Sequence, residues 1–189
     1  MIKGTKTEQN LLKAFAGESQ ARNRYSIYAS KAKKDGYEQI AAIFLETAAN
    51  EYEHASLFYK KLEGGAVQIT ADYPAGDLGT TLENLEYAAN GEHDEATSIY
   101  PEFAKVAREE GFDDIAELFE RISTIEARHE ARYRKLYENV KNNEVFDRVS
   151  ECEWVCRECG YVHIGTSAPE VCPVCAHPQS FYQLNVENY

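Results

Sequence analysis

The 189-residue sequence predicts a mainly α protein, a four-helix bundle followed by a small β-rich metal domain. Three observations carry this reading. Residues 7–143 are rich in Ala, Glu, Lys, Leu and Tyr with few turn signals, residues 16–55 recur in residues 90–130, and from Trp154 onward the texture changes to Cys, Gly, Pro and short β-prone runs.

The first helix is expected near 7–34, closing at Asp35-Gly36, and the second near 37–63. Gly64-Gly65 opens a loop to residue 79 that is long for a bundle connection, so it is expected to cross from one helix pair to the other. Thr80 and Glu83 form a capping box ahead of Leu82 and Leu85, starting a third helix over 80–109, in which Pro101 should kink or interrupt one turn. After Glu110-Gly111 the fourth helix spans 112–142. Gly17-Glu18 matches Gly91-Glu92 at an offset of 74. After a one-residue slip the offset is 75, pairing Asp35-Gly36-Tyr37 with Glu110-Gly111-Phe112, Phe44 with Phe119, and Glu51 and His54 with Glu126 and His129. The bundle is thus read as a duplicated helix hairpin about a pseudo-twofold axis. Residues 144–153 read as a polar linker, and the domains as 1–146 and 147–189. The second is too small to fold by burial alone and needs a staple.

Charge narrows the function. With 20 Lys+Arg against 32 Asp+Glu the chain carries −12, which argues against a sequence-independent nucleic-acid binder and against a polybasic membrane-surface protein. No stretch approaches the ~20 apolar residues of a membrane span, and the chain is read as a soluble cytoplasmic protein. Its five cysteines, an odd number, suit metal binding or catalysis better than a disulfide framework.

Along the fourth helix Ile115, Phe119, Ile122, Glu126, His129, Tyr133 and Leu136 step by three and four, the spacing of a bundle seam. Ile40, Phe44, Glu51, His54, Phe58 and Leu62 repeat it on the second helix, while Glu18 on the first and Glu92 and Glu95 on the third lie between apolar seam positions. Five carboxylates and two imidazoles would converge in one apolar interior, where each uncompensated charge costs several kcal/mol. Something cationic is required. A Glu from each of two helices plus Glu-x-x-His from each of the other two is the known donor set of ferritin-like dinuclear carboxylate sites. A lone Glu-x-x-His is more often a surface pair, but two copies at equivalent repeat positions, both in register with the seam, favour metal. Tyr25 and Tyr100 lie near the same level and are candidates to hydrogen-bond the ligand carboxylates, although each taken singly reads as an ordinary core aromatic.

The run Ala16-Gly17-Glu18-Ser19-Gln20-Ala21-Arg22-Asn23-Arg24-Tyr25, the Glu51-x-x-His54 and Glu126-x-x-His129 pairs, and Gly91-Glu92-x-x-Glu95 resemble the diiron motifs of the rubrerythrin family, over essentially the whole chain. The resemblance implies a ferritin-like bundle with a rubredoxin-like tail, and a non-haem diiron peroxidase that reduces hydrogen peroxide to water in oxidative-stress defence. It implies that Glu51 and Glu126 bridge two irons, that Glu18 holds one, and that Glu92 with His129 holds the other. Glu95 and His54 are then alternative ligands of the first iron, His54 when reduced and Glu95 when oxidised; charge agrees, since a fifth carboxylate is surplus beside two Fe(II) and favoured beside two Fe(III).

Cys156-x-x-Cys159 and Cys172-x-x-Cys175, with 12 residues between them, are a strong signal for a tetrahedral four-thiolate site. Spacing alone makes a structural zinc ribbon the more common answer, softness does not separate zinc from iron, and zinc is possible at either site in preparations; the resemblance implies one rubredoxin-like iron. Gly160 suits the turn after the first knuckle, whereas Ala176 stands where a rubredoxin has Gly and is expected to strain the second. Cys152 reads as a bystander, and Trp154, His163, His177 and Phe181 as packing or surface residues. The implied electron donor is a rubredoxin or an NAD(P)H-dependent reductase, and the assembly a homodimer or higher homo-oligomer. Two rivals stand beside the peroxidase: a ferritin-like iron oxidation and storage protein, and a zinc-ribbon binding module on a structural bundle.

Overall fold

The structure, a computed structural model, describes residues 1–76 and 78–187; Asp77 in the crossover loop and Asn188 and Tyr189 lie outside the described residues. The bundle comprises α1 (Lys6–Lys34), α2 (Glu38–Lys60), α3 (Thr81–Asp94), a π-helical turn (Glu95–Ile99), α4 (Tyr100–Glu109) and α5 (Asp113–Lys141). α1 packs on α2, and α5 on the interrupted helix formed by α3, the π-turn and α4. α2 stops three residues short of the expected 63, and the Glu63 carboxylate instead accepts from the Ile2 N–H at 3.1 Å.

The long connection leaves α2 beside the start of α1 and delivers α3 beside its end, so it runs the length of the bundle and makes α2 and α3 parallel. Midway, the Tyr73 hydroxyl donates to the Lys13 carbonyl at 2.8 Å. The Thr80/Glu83 capping box forms as expected.

Sequence duplication becomes structural symmetry at the helix ends. The Asp35 carboxylate, in the turn closing the first hairpin, accepts from the Thr81 N–H at 3.0 Å and its hydroxyl at 2.8 Å. Glu110, its repeat partner, accepts from the Thr7 N–H at 2.8 Å and hydroxyl at 2.6 Å, and from the Lys6 N–H at 3.1 Å. Each half thus places an anion on the positive N-terminus of the other half's first helix. Gly36 and Gly111 adopt φ of 88° and 83°, which lets these turns close.

The π-turn explains the one-residue slip. Its wider ring, closed by the Tyr100 N–H on the Glu95 carbonyl, absorbs one extra residue between Glu92, matched at 74, and Tyr100, matched to Tyr25 at 75. The interruption expected of Pro101 takes this form, with Pro101 in the first turn of α4 where its missing N–H costs nothing. The extra residue also rotates the face: Ile99, four residues after Glu95, is 39% exposed, and Tyr100 turns inward.

Two apolar layers fill the bundle, one around Tyr25, Tyr28, Phe44, Leu85 and Tyr133, the other around Leu11, Phe58, Tyr100, Phe119 and Ile122. The tail holds an antiparallel sheet of β1 (Asp147–Cys156), β2 (Val162–Ser167) and β3 (Tyr182–Leu184) in the order β2-β1-β3. The expected linker over 144–153 is therefore corrected, because residues 147–153 are strand. Their side chains are mostly exposed, and the strand is held by backbone pairing to β2 with an irregular register between Asp147 and Cys152, which leaves no apolar alternation to read. Trp154, Cys156, Ala168, Cys172 and Tyr182 form the small core. Phe146 stacks on Tyr37 at 6.0 Å and 7°, seating the tail on the bundle end.

Removing either cap as Asp35→Ala or Glu110→Ala should cost about 1 kcal/mol in chemical denaturation. Both carboxyls sit below their ordinary values although burial pushes them up, because hydrogen bonds from Thr81 and Lys31 to Asp35, and from Thr7 to Glu110, outweigh it. Their stabilisation is therefore full above the unfolded carboxyl value of ~4 and is lost as pH falls through the lower folded values. The variants should show a smaller loss of stability between pH 5 and pH 3 than the parent, measured by urea midpoints, at about these pH values.

Candidate metal centres

Between the two apolar layers, four helices contribute a polar one. The seam places Glu18 from α1, Glu51 and His54 from α2, Glu92 from α3, and Glu126 and His129 from α5 in the interior, none more than 5% exposed. Their ligand-type atoms fall into two groups, each with all atoms within 4.8 Å: Glu18, Glu51, His54 and Glu126, and Glu51, Glu92, Glu126 and His129. Glu51 and Glu126 belong to both.

The contacts repeat this symmetry. His54 Nδ1 lies 2.9 Å from Glu51 Oε2, 3.0 Å from Glu126 Oε1 and 3.8 Å from Glu18 Oε1. His129 Nδ1 lies 2.8 Å from Glu126 Oε2, 3.3 Å from Glu51 Oε1 and 3.6 Å from Glu92 Oε2. Tyr25 donates to Glu92 Oε1 at 2.6 Å, and Tyr100, its repeat partner, donates to Glu18 Oε1. Each tyrosine from one half thus donates to a carboxylate of the other.

Electrostatics show what this cluster lacks. Burial, reinforced by Glu51, pushes Glu18 well above the carboxylate range, and burial pushes Glu92 up to about 8 against the pull of His129. Burial opposes charge on the imidazoles too, yet contacts with Glu126 and Glu51 raise His54 to about 9 and His129 to about 12. The same contacts override burial at Glu51 and hold it near about 2. Protons on the histidines are the only positive charge the cluster itself can supply. The close approaches of the imidazoles to Glu126 are too poorly aligned to count as hydrogen bonds, so Glu18 Oε2, Glu51 Oε1, Glu92 Oε2, both Glu126 oxygens and His129 Nδ1 make no hydrogen bond among the described residues. Unpaired buried oxygens beside one imidazole nitrogen per group fit two first-row divalent metal ions, which would displace those protons.

Glu95 joins neither group. It opens the π-turn half-buried, and burial together with Glu92 pushes its carboxyl well up, with Arg24 opposing. His54, its expected alternative, occupies the first group. Position 21, which would carry Glu95's counterpart in the first half, is a buried Ala.

In the tail, Cys156, Cys159, Cys172 and Cys175 form a third group. Sγ separations of 3.7 Å for Cys156–Cys175 and Cys159–Cys172 match the ~3.8 Å edge of a tetrahedron with ~2.3 Å metal–sulfur bonds. The two knuckles close alike, Gly160 N–H on the Cys156 carbonyl and Ala176 N–H on the Cys172 carbonyl, both 2.9 Å. Burial pushes the Cys172 thiol up, but the Tyr182 hydroxyl and the N–H groups of Cys175 and Val174 hold it down at about 6. Cys152 stands apart, half-buried against the Gly165 carbonyl at 3.7 Å. Trp154 is core and His177 packs on Phe181, as expected.

Sequence reasoning missed the cross-capping of Thr7 by Glu110 and of Thr81 by Asp35, although Thr7 and Thr81 stand 74 apart and their partners 75, so the repeat carried the signal. It also missed Tyr73 and Arg24, which reach the neighbourhood of Glu95 only through the fold.

Family models match in two places: Rubrerythrin over residues 9–137, and the rubrerythrin, rubredoxin-like domain over residues 154–183. The chain is 55% identical to a rubrerythrin of Porphyromonas gingivalis, covering 100% of this chain and 94% of that protein. It is 52% identical to a rubrerythrin of Nitratidesulfovibrio vulgaris, covering 97% and 96%. A solved nigerythrin structure in a mixed-valence state superposes with a TM-score of 0.65 at 32% identity, covering 98% of this chain and 92% of that one.

Ala176 pays for a backbone of φ 59° that glycine adopts freely. Ala176→Gly should stabilise the tail by about 1 kcal/mol, seen as slower loss of its metal to a chelator, with the bundle's metal content unchanged.

Proposed function

The chain belongs to the rubrerythrin family, and on that premise we propose that it is a cytoplasmic peroxidase that reduces hydrogen peroxide to water. Support comes from one observation above the rest: two buried ligand groups share Glu51 and Glu126, so two metals would sit side by side with common carboxylates. In this reading Glu51 and Glu126 would serve both metals, Glu18 and His54 would complete one site, Glu92 and His129 the other, and Glu95 would be the alternative ligand to His54. Bound there, two iron ions supply one electron each for cleaving an O–O bond.

The chain's own residues prepare that chemistry. Tyr25 and Tyr100 fix Glu92 and Glu18 by donating hydrogen bonds, which leaves the second oxygen of each free to ligate. The apolar layers around Phe44 and Phe119 hold bulk water away, so the carboxylates remain strong ligands. The four tail thiolates would hold a single iron that relays electrons from a rubredoxin or an NAD(P)H-dependent reductase, in a homodimer or larger homo-oligomer. Five cysteines without a disulfide fit a reducing compartment. No helix is long and apolar enough to cross a membrane.

Protein prepared without oxygen should contain three irons per chain, and the reduced bundle centre should be oxidised far faster by hydrogen peroxide than by dioxygen in stopped-flow mixing. Comparable rates would favour iron oxidation and storage, and one zinc with no bundle metal would leave only a binding module.

Cys156→Ser should abolish steady-state turnover while sparing a single oxidation of the pre-reduced bundle centre. Surviving turnover would show that electrons bypass the tail.

A further inference from the structure

Between α1, the π-turn, α4 and the crossover loop lies a cavity of about 480 Å³. Its walls are mainly apolar, with Ala14, Ala71, Tyr73, Pro74, Ile99 and Phe103 facing it, and Glu95 and Tyr100 complete its lining. It abuts the metal-ligand cluster. Tyr100 donates to Glu18, and two further lining residues, Gly17 and Gly91, immediately precede Glu18 and Glu92.

A Cβ at Gly17 would stand 3.6 Å from the Tyr73 ring and one at Gly91 3.5 Å from the Arg24 guanidinium, ordinary contacts that would still take up part of the space. Hydrogen peroxide is not much larger than water, which occupies ~30 Å³ in the liquid. A cavity of this size is far larger than that oxidant requires, and it falls in the ~300–1,000 Å³ range of sites for organic molecules. Lys13 and Arg24 line it against Asp72, Asp94 and Glu102, so its charged groups lean negative and give an anionic ligand no advantage over a neutral one.

We propose that this cavity seats neutral organic hydroperoxides, with the apolar group against Ile99 and Phe103 and the hydroperoxide end towards Glu95 and Tyr100. The proposal rests on the peroxidase reading and extends its substrate class. The O–O bond of ROOH breaks as it takes up two electrons, from the same donor chain that serves hydrogen peroxide, and two protons from water. One ROH and one water leave.

The test uses full-length, iron-loaded protein reduced without oxygen and mixed with cumene hydroperoxide or hydrogen peroxide, following reoxidation by absorbance. Cumene hydroperoxide should react within about tenfold of hydrogen peroxide. Ser98→Trp and Ala71→Trp each project a ring into the cavity from exposed positions outside the ligand set. In whichever of the two folds, the organic reaction should slow about tenfold or more while hydrogen peroxide stays within about threefold. A second readout is independent of turnover: 2-phenyl-2-propanol, the alcohol product, should bind the oxidised parent saturably by calorimetry and fail to bind the variant. Reaction with hydrogen peroxide alone overturns the organic seat and leaves the peroxidase standing, whereas reaction with neither overturns both. Equal slowing of the two oxidants, or alcohol binding unaffected by the added ring, also overturns the seat.

Discussion

Four carboxylates and two imidazoles share an apolar interior, and the rest of the bundle is organised around that concentration of charge. Leaving such groups uncompensated costs several kcal/mol each, so the layer is stable only if cations occupy it. Histidine protons can do so in part, which is why His54 and His129 are pushed up to about 9 and about 12 by the carboxylates that face them. Two metal ions would do so more completely, since the unpaired oxygens belong to residues of the two ligand groups. The aromatic layers above and below follow from the same constraint. They keep the dielectric low, and a low dielectric both penalises empty ligands and strengthens filled ones.

A duplicated hairpin satisfies that constraint economically. Each half supplies one Glu, one Glu-x-x-His and one tyrosine, and the tyrosines reach across the pseudo-twofold axis to the other half's carboxylate. The cross-caps by Asp35 and Glu110 tie the halves at both ends. The π-turn breaks the symmetry on one side only. There it adds Glu95, turns Ile99 outward, and borders the cavity against which the crossover loop lays Tyr73.

The tail obeys a different rule. Its core is only a few side chains, among them Trp154 and Tyr182, and two of its four knuckle cysteines, Cys156 and Cys172, are buried in that core. Metal ligation and folding are therefore one event in the tail, whereas the bundle has aromatic layers of its own beside its ligands.

Local sequence determined the helices, the capping box at Thr80 and Glu83, the duplication, and which Glu and His residues face the bundle interior, because periodicity and repeat spacing report which side chains share a face. The one-residue slip was legible as arithmetic but not as a π-turn, since the turn's shape depends on how α3 and α4 pack against α5. The polar strand over 147–153 was hidden, because backbone pairing to β2 holds it with no apolar pattern to betray it. Which oxygens lie within reach of which imidazole, that Glu51 and Glu126 face both histidines, and that Glu95 stands aside at a cavity wall were decided only by tertiary structure. These are distances between residues as far as 78 apart in the chain, set by helices packing on one another, and no local spacing encodes them.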